Sequence, residues 1–466
     1  MEHKNELFAL ILAGGMGTRM KSELPKVLHP AAGIPIIAHI LKAADSLSPK
    51  EMGVIVGHKA EVTEKAVSEG LAAWGISSKV KTFTQTELTG SGRAVQEAMP
   101  HMKGYCDVLV LCGDTPLITG ALLKDFYQAY KKSGADAAVL TAKVPNPYGY
   151  GRILKNSKNL IDGIIEQTET NKETAEIAEI NSGMYIFSMK ALASVIGGLK
   201  PNGPKKEYYL TDAIKLMADG GLKTFACAAK EWTFILGVNS RVQLAEAEKM
   251  LRARKIAELQ MDGVTIQDPA TTYIDDSVKI GRDTVILAGT HIYGNTEIGR
   301  DCKIGPACVI ENCSIGDGTE VKFSCVLNES EIMKNCAIGP FSHIRPNCVL
   351  SDGARVGNFS ELKKAKIGAG SKVNHLSYVG DTEMGEGVNV GAGTITCNYD
   401  GVRKHKTIIG NNVFIGSNTN LVAPVTVANG SHIAAGSTIT DDIPAGSLAI
   451  ARARQVVKEG RYPKGT

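Results

Sequence analysis

The chain has 466 residues, too many for one ordinary domain and enough for two or three substantial cores. Its 52 basic and 48 acidic residues leave a formal charge of +4, which gives no electrostatic case for a nucleic-acid partner, whereas binding small anions needs only local cations. The 10 Cys form no metal-type C-x-x-C pairs, and no apolar stretch or N-terminal signal pattern points to a membrane, so the expectation is a cytoplasmic protein with free thiols.

The first 240 or so residues alternate apolar strand-like runs with helical stretches, the pattern of an α/β fold with a largely parallel sheet. Strands are expected at Phe8–Leu12, Gly53–Val56, Asp107–Leu111, Ala137–Thr141 and Gly183–Phe187, and helices at Ile36–Ala44, Ala60–Ser68, Gly92–Met99 and Ala121–Ser133. Directly behind the first strand, Leu12 to His29 read LAGGMGTRMKSELPKVLH. Gly14, Gly15 and Gly17 lack a Cβ, so their backbone can turn at positive φ and aim N–H groups at a phosphate chain. Thr18 adds a hydroxyl, Arg19 a planar fork of donors, and Lys26, behind the stiff Pro25, a point charge. The Walker spacing is absent, and Met20 stands where G-x-G-x-x-G would need its last glycine. In such sheets ligands gather beyond the carboxyl ends of the strands, where this loop and the turn Cys112-Gly113-Asp114 both fall.

Ser240 to Met261 has no Gly or Pro and reads as one helix joining two domains. Beyond it, aliphatic residues recur every six positions, at Ile280, Ile286, Ile292, Ile298, Ile304 and Ile310, again from Ile332 to Val356, and again from Ile409 to Ile439. Six residues of α-helix rotate a side chain by about 240°, whereas an even spacing on a strand returns to one face. Glycine usually follows the aliphatic residue, which lets the chain bend after each short strand, so that the segments stack into a solenoid around a narrow axis of Ile, Val and Leu. The register fails between Val390 and Ile409, where Cys397 to Lys406 is looped out, and long loops on repeat scaffolds carry binding or catalysis.

The hexapeptides resemble the left-handed parallel β-helix of the hexapeptide acyltransferases. With the glycine loop, Gln85-Thr-Glu-Leu-Thr-Gly90-Ser-Gly, Cys112-Gly-Asp114, Gly149-Tyr-Gly151-Arg152, Asn181-Ser-Gly183 and Gly237-Val-Asn239 in one half, and Arg345-Pro, Val356 to Lys364, His375-Leu-Ser-Tyr378 and Asn389 to Gly401 in the other, the whole chain resembles the bifunctional bacterial N-acetylglucosamine-1-phosphate uridyltransferase and glucosamine-1-phosphate N-acetyltransferase family. The resemblance implies a Rossmann-like nucleotidyltransferase domain at 1–241, a linker helix at 242–262 and a β-helical acetyltransferase domain at 263–466. It also implies a homotrimer supplying UDP-N-acetylglucosamine for peptidoglycan and lipopolysaccharide, while charge and hydropathy lead us to expect no nucleic-acid partner and no membrane insertion. The family commonly has Lys where this chain has Met16, and Gly-Thr-Gly-His where it has Gly90-Ser91-Gly92-Arg93.

By the same resemblance, Leu12, Ala13, Gly14, Gly15, Lys26, Gln85, Gly90 and Ser91 hold UTP, and Gly151, Glu166 and Asn181 the sugar. Asp114 and Asn239 are the Mg²⁺ ligands, and Lys26 and Arg19 neutralise charge during transfer to the α-phosphorus. In the second half Arg345 and Lys363 grip the sugar phosphate, Tyr378 and Asn389 orient the sugar, and Ala392, Asn398, Tyr399, Ser417, Ala435 and Arg452 face sugar or acetyl-CoA. Acetyl transfer needs a neutral amine, and His375 is the best general base for it. Competing readings are a zinc site of His343, His375 and His405, Cys397 as an acyl acceptor, a one-site nucleotidyltransferase with a regulatory β-helix, and a β-helix that serves only for oligomerisation.

Overall fold

The computed structural model describes residues 6–203 and 206–461. It divides into two units, one up to Leu251 and one from Arg252 on, the division falling inside the helix Arg241–Met261.

The first unit is built on a sheet whose strands lie in the order Thr224–Ala228, Ala137–Lys143, Glu179–Ser188, Asp107–Cys112, Leu7–Ala13, Glu51–Val56 and Val80–Thr84. Both faces are covered by helices, so the central strands read as continuous apolar runs; Leu7, Phe8, Ala9, Leu10 and Ile11 are wholly buried. All expected strands and helices form, with ends shifted by a few residues. The expected parallel order has one exception. Glu179–Ser188, longer at its start than its apolar run, is antiparallel to both neighbours, and its polar first half pairs with Ala142 and Lys143. The strands Arg152–Lys155 and Ile161–Ile165 form a hairpin attached to it at Ile180. Neither was expected, because each is short and only half apolar.

The second unit is a parallel β-helix. Strands of two to four residues stack into faces of 11, 10 and 9 strands, beginning at Thr265–Ile266, Tyr273–Ile274 and Lys279–Ile280. The inward residues form unbroken columns; Ile286, Ile304, Val321 and Ile338 lie in register along the first face. The six-residue period breaks after Ile310 only because some steps are one residue short, as from Ile310 to Ile315, and the coil continues through Val321 and Leu327. The axis is less exclusively aliphatic than expected. Six cysteines, among them Cys302, Cys308 and Cys336, are buried in it with Thr284, Thr319 and Ser342. These small groups meet corner carbonyls that Ile or Leu would leave unpaired: Thr284 Oγ1 donates to Gly299 O at 2.8 Å and Cys308 Sγ to Lys322 O at 3.0 Å. Glycine after the aliphatic position serves close stacking as much as bending. A Cβ on Gly391 would stand 2.5 Å from Ser417 N of the next coil.

Candidate functional site

In the first unit the strand Leu7–Ala13 empties into the glycine loop, which forms one wall of a cavity of about 530 Å³. Leu12, Gly14, Gly15, Thr18, Arg19, Lys26, Gln85, Gly90, Ser91 and Asn239 all line it. Ala13 is buried behind them against Gly113. The three glycines have different reasons. Gly17 alone has positive φ, at 59°, and a Cβ there would meet Lys26 Cβ at 2.7 Å; Gly14 makes room for Gln85 Oε1; Gly15 is not demanded by packing.

Lys26 Nζ donates to Asp114 Oδ2 at 2.5 Å and to Asn239 Oδ1 at 3.0 Å. Asp114 is fixed by its own backbone, since its carbonyl accepts Val238 N–H, which brings the segment bearing Asn239 alongside. Two hard oxygens thus converge on one cation, a donor set suited to Mg²⁺. Beside them, burial and then the Asp114 charge push the Cys112 thiol up to about 12, so it stays protonated and donates to Gly183 O at 3.2 Å.

The residues expected to hold the sugar form a second cluster in the same unit. A Cβ on Gly151 would lie 3.5 Å from Asn181 Cβ and 3.6 Å from Glu166 Oε2. Asn181 is oriented by donating to the Tyr185 hydroxyl at 2.8 Å and accepting Gly183 N–H at 2.9 Å. Thr211 Oγ1 donates to Glu166 at 3.0 Å, and burial raises the Glu166 pKa.

In the β-helix the candidates sort into two columns. At the corner leading from the first face to the second, Asn358, His375, Ala392, Ser417 and Ala435 occupy successive coils, linked through Leu376 N to Asn358 O, Gly393 N to His375 O, Asn418 N to Ala392 O and Gly436 N to Ser417 O. Arg452 extends the column, its Cδ 3.8 Å from a Cβ on Gly436. His375 is exposed, and its Nδ1 lies 3.1 Å from Asn358 Oδ1. An amide oxygen can only accept, so Nδ1 is the donor, and in the neutral ring that leaves the lone pair on Nε2.

At the other edge of the second face, Arg345 follows the strand His343–Ile344, Lys363 ends Glu361–Lys363, and Lys363 O accepts Asp381 N–H of the next coil. Arg345 pairs with Glu361 at 2.8 Å. The looped-out segment leaves at this corner, with Asn398 Nδ2 donating to Asp381 Oδ2 at 2.5 Å and His405 Nε2 2.6 Å from Asp400 Oδ2. Lys404 is a residue the sequence reading missed. Its ammonium, then desolvation and the Arg345 charge, hold the Lys363 pKa below the ordinary ammonium range, against the opposing charge of Asp381. Tyr378 stands on the second face, in register with Glu361 and Ile395, while Asn389 stands on the first, opposite Lys372 and Phe414. Tyr399 is exposed in the loop.

The zinc reading fails: among the described residues no three His, Cys, Asp or Glu side chains converge to hold a metal, and His405 is engaged with Asp400. No helix among the described residues is long and apolar enough to cross a membrane.

Three domain families match this chain: the MobA-like NTP transferase domain over residues 9–173, the GMPPB C-terminal domain over 268–357, and six bacterial transferase hexapeptide repeats over 406–441. Among curated relatives, the bifunctional protein GlmU of Geotalea uraniireducens is 45% identical over 457 residues, covering 98% of this chain and 98% of that protein. The bifunctional protein GlmU of Pelobacter propionicus is 46% identical over 453 residues, 97% of each chain. That of Clostridioides difficile is 44% identical over 456 residues, 98% of this chain and 97% of its own.

Proposed function

This chain belongs to the family of bifunctional GlmU proteins, and from that premise we propose how its residues divide two consecutive reactions. It is a bifunctional enzyme of UDP-N-acetylglucosamine synthesis, with acetyltransferase and uridyltransferase activities. The β-helix acetylates glucosamine 1-phosphate from acetyl-CoA, and the N-terminal unit then transfers UMP from UTP to the product, releasing pyrophosphate. The proposed domains are residues 1–241 and 263–466, with 242–262 as linker.

In uridylyl transfer, a phosphate oxygen of N-acetylglucosamine 1-phosphate attacks the α-phosphorus and pyrophosphate leaves. The protein positions the reactants and neutralises charge. Arg19 and the Gly14–Gly17 backbone face the phosphate chain, and Lys26 stands where charge builds on the transferred group. Leu12, Ala13, Gln85, Gly90 and Ser91 hold the nucleotide, and Gly151, Glu166 and Asn181 the sugar. Asp114 and Asn239 would hold Mg²⁺, which when bound supplies further positive charge to the phosphates.

In acetyl transfer His375 Nε2 removes a proton from the amine as its nitrogen attacks the thioester carbonyl, the C–S bond then breaks and CoA leaves as the thiol, and Asn358 keeps the ring in the tautomer that can accept that proton. Arg345, Lys363 and Lys404 bind the sugar phosphate. Tyr378, Asn389, Asn398 and Tyr399 surround the sugar, and Ala392, Ser417, Ala435 and Arg452 line the coenzyme's path. The base and the phosphate cations border opposite edges of one face, which supports a site completed by neighbouring subunits of a homotrimer. The exposed Phe323, Phe341 and Phe359, the first edge-on to the second and the second stacked on the third, offer apolar surface for that contact. UTP and acetyl-CoA are cytoplasmic metabolites, and the cytoplasm is the compartment we assign.

The observation that carries this reading is the convergence of Lys26, Asp114 and Asn239 at the glycine-loop cavity, with His375 in the other unit. The test is a crossed pair of variants in the intact protein. Lys26→Ala should lose pyrophosphate release and keep CoA release, and His375→Ala the reverse; loss of both reactions in either variant contradicts separate sites.

A further inference from the structure

The cavity wall that carries Gln85 and Gly90 is a loop, and the helix Ser91–Ala98 that follows it shapes it from behind. Glu97 on that helix reaches back across the loop. One of its carboxylate oxygens accepts Thr86 N–H at 2.7 Å and the Thr86 hydroxyl at 3.1 Å, and the other accepts Glu87 N–H at 3.3 Å. Arg93, one turn earlier, places its guanidinium 3.3 Å from Glu97 and 3.1 Å from the Glu87 carboxylate. Neither Glu97 nor Arg93 lines the cavity.

The backbone held in this way presents the Glu87 carbonyl to Gln85, whose side-chain Nε2 donates to it at 2.7 Å, with Gly90 O a further 3.4 Å acceptor. With the amide nitrogen spent on carbonyls, Oε1 is the end left for a ligand, and it lies 2.9 Å from where a Cβ on Gly14 would sit. A buried acceptor there pairs with a ring N–H. Uracil carries one at N3 and cytosine has a bare lone pair instead, so the fixed amide favours one pyrimidine and leaves an acceptor facing an acceptor with the other.

We propose that Glu97 and Arg93 are positioning residues that lock the Gln85 amide with its oxygen toward the nucleobase and so set the preference for UTP over CTP. This rests on the uridylyl-transfer reading of the cavity. The ion pairs themselves are partly exposed and contribute little to stability; what they hold is loop shape.

The experiment is steady-state pyrophosphate release by the full-length protein, with N-acetylglucosamine 1-phosphate and either UTP or CTP, for wild type, Glu97→Ala and Glu97→Gln. Glu97→Ala should raise KM for UTP about tenfold with kcat within about threefold of wild type, and lower the UTP-to-CTP ratio of kcat/KM by about tenfold. Glu97→Gln keeps an oxygen for Thr86 N–H but loses the pair with Arg93, and should fall between. If Glu97→Ala does not fold, Arg93→Met carries the same readout. A UTP-to-CTP ratio equal to wild type in the variants overturns the proposal, whatever happens to kcat. A wild-type protein without UTP-dependent pyrophosphate release overturns the uridylyl reading instead.

Discussion

Lys26 Nζ lies 2.5 Å from Asp114 Oδ2, although the two residues are 88 apart in the chain, and the same ammonium meets Asn239 Oδ1 from 213 residues away. Both side chains of the ion pair are mostly shielded, at 13% and 22% exposure, so the charge is held in place rather than swept through solvent. Preorganised charge of this kind acts on a developing negative charge without reorganising at the moment of reaction. Lys26→Met should therefore lower kcat for pyrophosphate release by about 10²–10³-fold. KM for UTP should change far less. Measuring CoA release on the same preparation separates this from unfolding: a parallel fall there would mean the lysine supports structure instead.

The looped-out segment brings a cation to the sugar-phosphate corner. Because Lys404 and then Arg345 depress the Lys363 pKa, Lys363 gives up its proton at lower pH than an isolated lysine would. In Lys404→Ala that pressure is reduced and the Lys363 pKa moves back up. Two effects of opposite sense follow for glucosamine 1-phosphate. KM rises several-fold near neutral pH, where a phosphate contact is lost, while the alkaline limb of the kcat/KM profile shifts to higher pH. A profile that only drops in height, with its alkaline limb unmoved, would show that Lys404 and Lys363 do not share a ligand.

Burial raises the Glu166 pKa above its ordinary value of 4.5, and the sign of the consequence is opposite to that of a salt-bridged carboxylate. Between the unfolded and the raised folded value the native state holds a proton that the unfolded chain has lost. Stability on this account therefore falls as pH rises through that window and is lowest above it. Glu166→Gln keeps an acceptor for Thr211 Oγ1 and removes the cost of burying a charge. It should raise the melting temperature of the N-terminal unit at pH 8 with little difference at pH 4, and raise KM for N-acetylglucosamine 1-phosphate. A variant less stable than wild type at pH 8 refutes this account of Glu166.

Much of this was legible in the residues. The six-residue period from Ile280 excluded a helix, and the run Phe8–Leu12 ahead of Gly14 located the phosphate loop, because both are local patterns that burial imposes. The convergence of Asp114 and Asn239 on Lys26 was legible only through family resemblance, since nothing local marks an Asp after a strand as facing a distant lysine. Lys404 was not legible at all: Arg403, Lys404 and Lys406 look alike in sequence, and only the fold of the loop against Asp381 separates them. Glu97 was hidden for the same reason, as a polar helix residue whose partner is a turn formed earlier in the chain. The cysteines of the axis misled in the other direction. Their burial reflects the carbonyls at each corner, which a count of apolar residues does not reveal.

Two glycines of the β-helix provide the last test, Gly391 directly after the inward Val390 and Gly430 at a turn, because they tell stacking and backbone conformation apart. Gly391 bonds to the next coil through its N–H to Ile415 O at 2.8 Å, and a Cβ there would stand 2.5 Å from Ser417 N, in the column that leads to His375. Gly430 has φ of 65° and open space around its missing side chain. Gly391→Ala must push two coils apart, whereas Gly430→Ala costs only the left-handed conformation, roughly 1–2 kcal/mol. Gly391→Ala should therefore abolish CoA release, lower the melting temperature of the β-helix well beyond the effect of Gly430→Ala, and leave pyrophosphate release intact. Equal effects from the two substitutions would mean that Gly391 does not set the distance between coils.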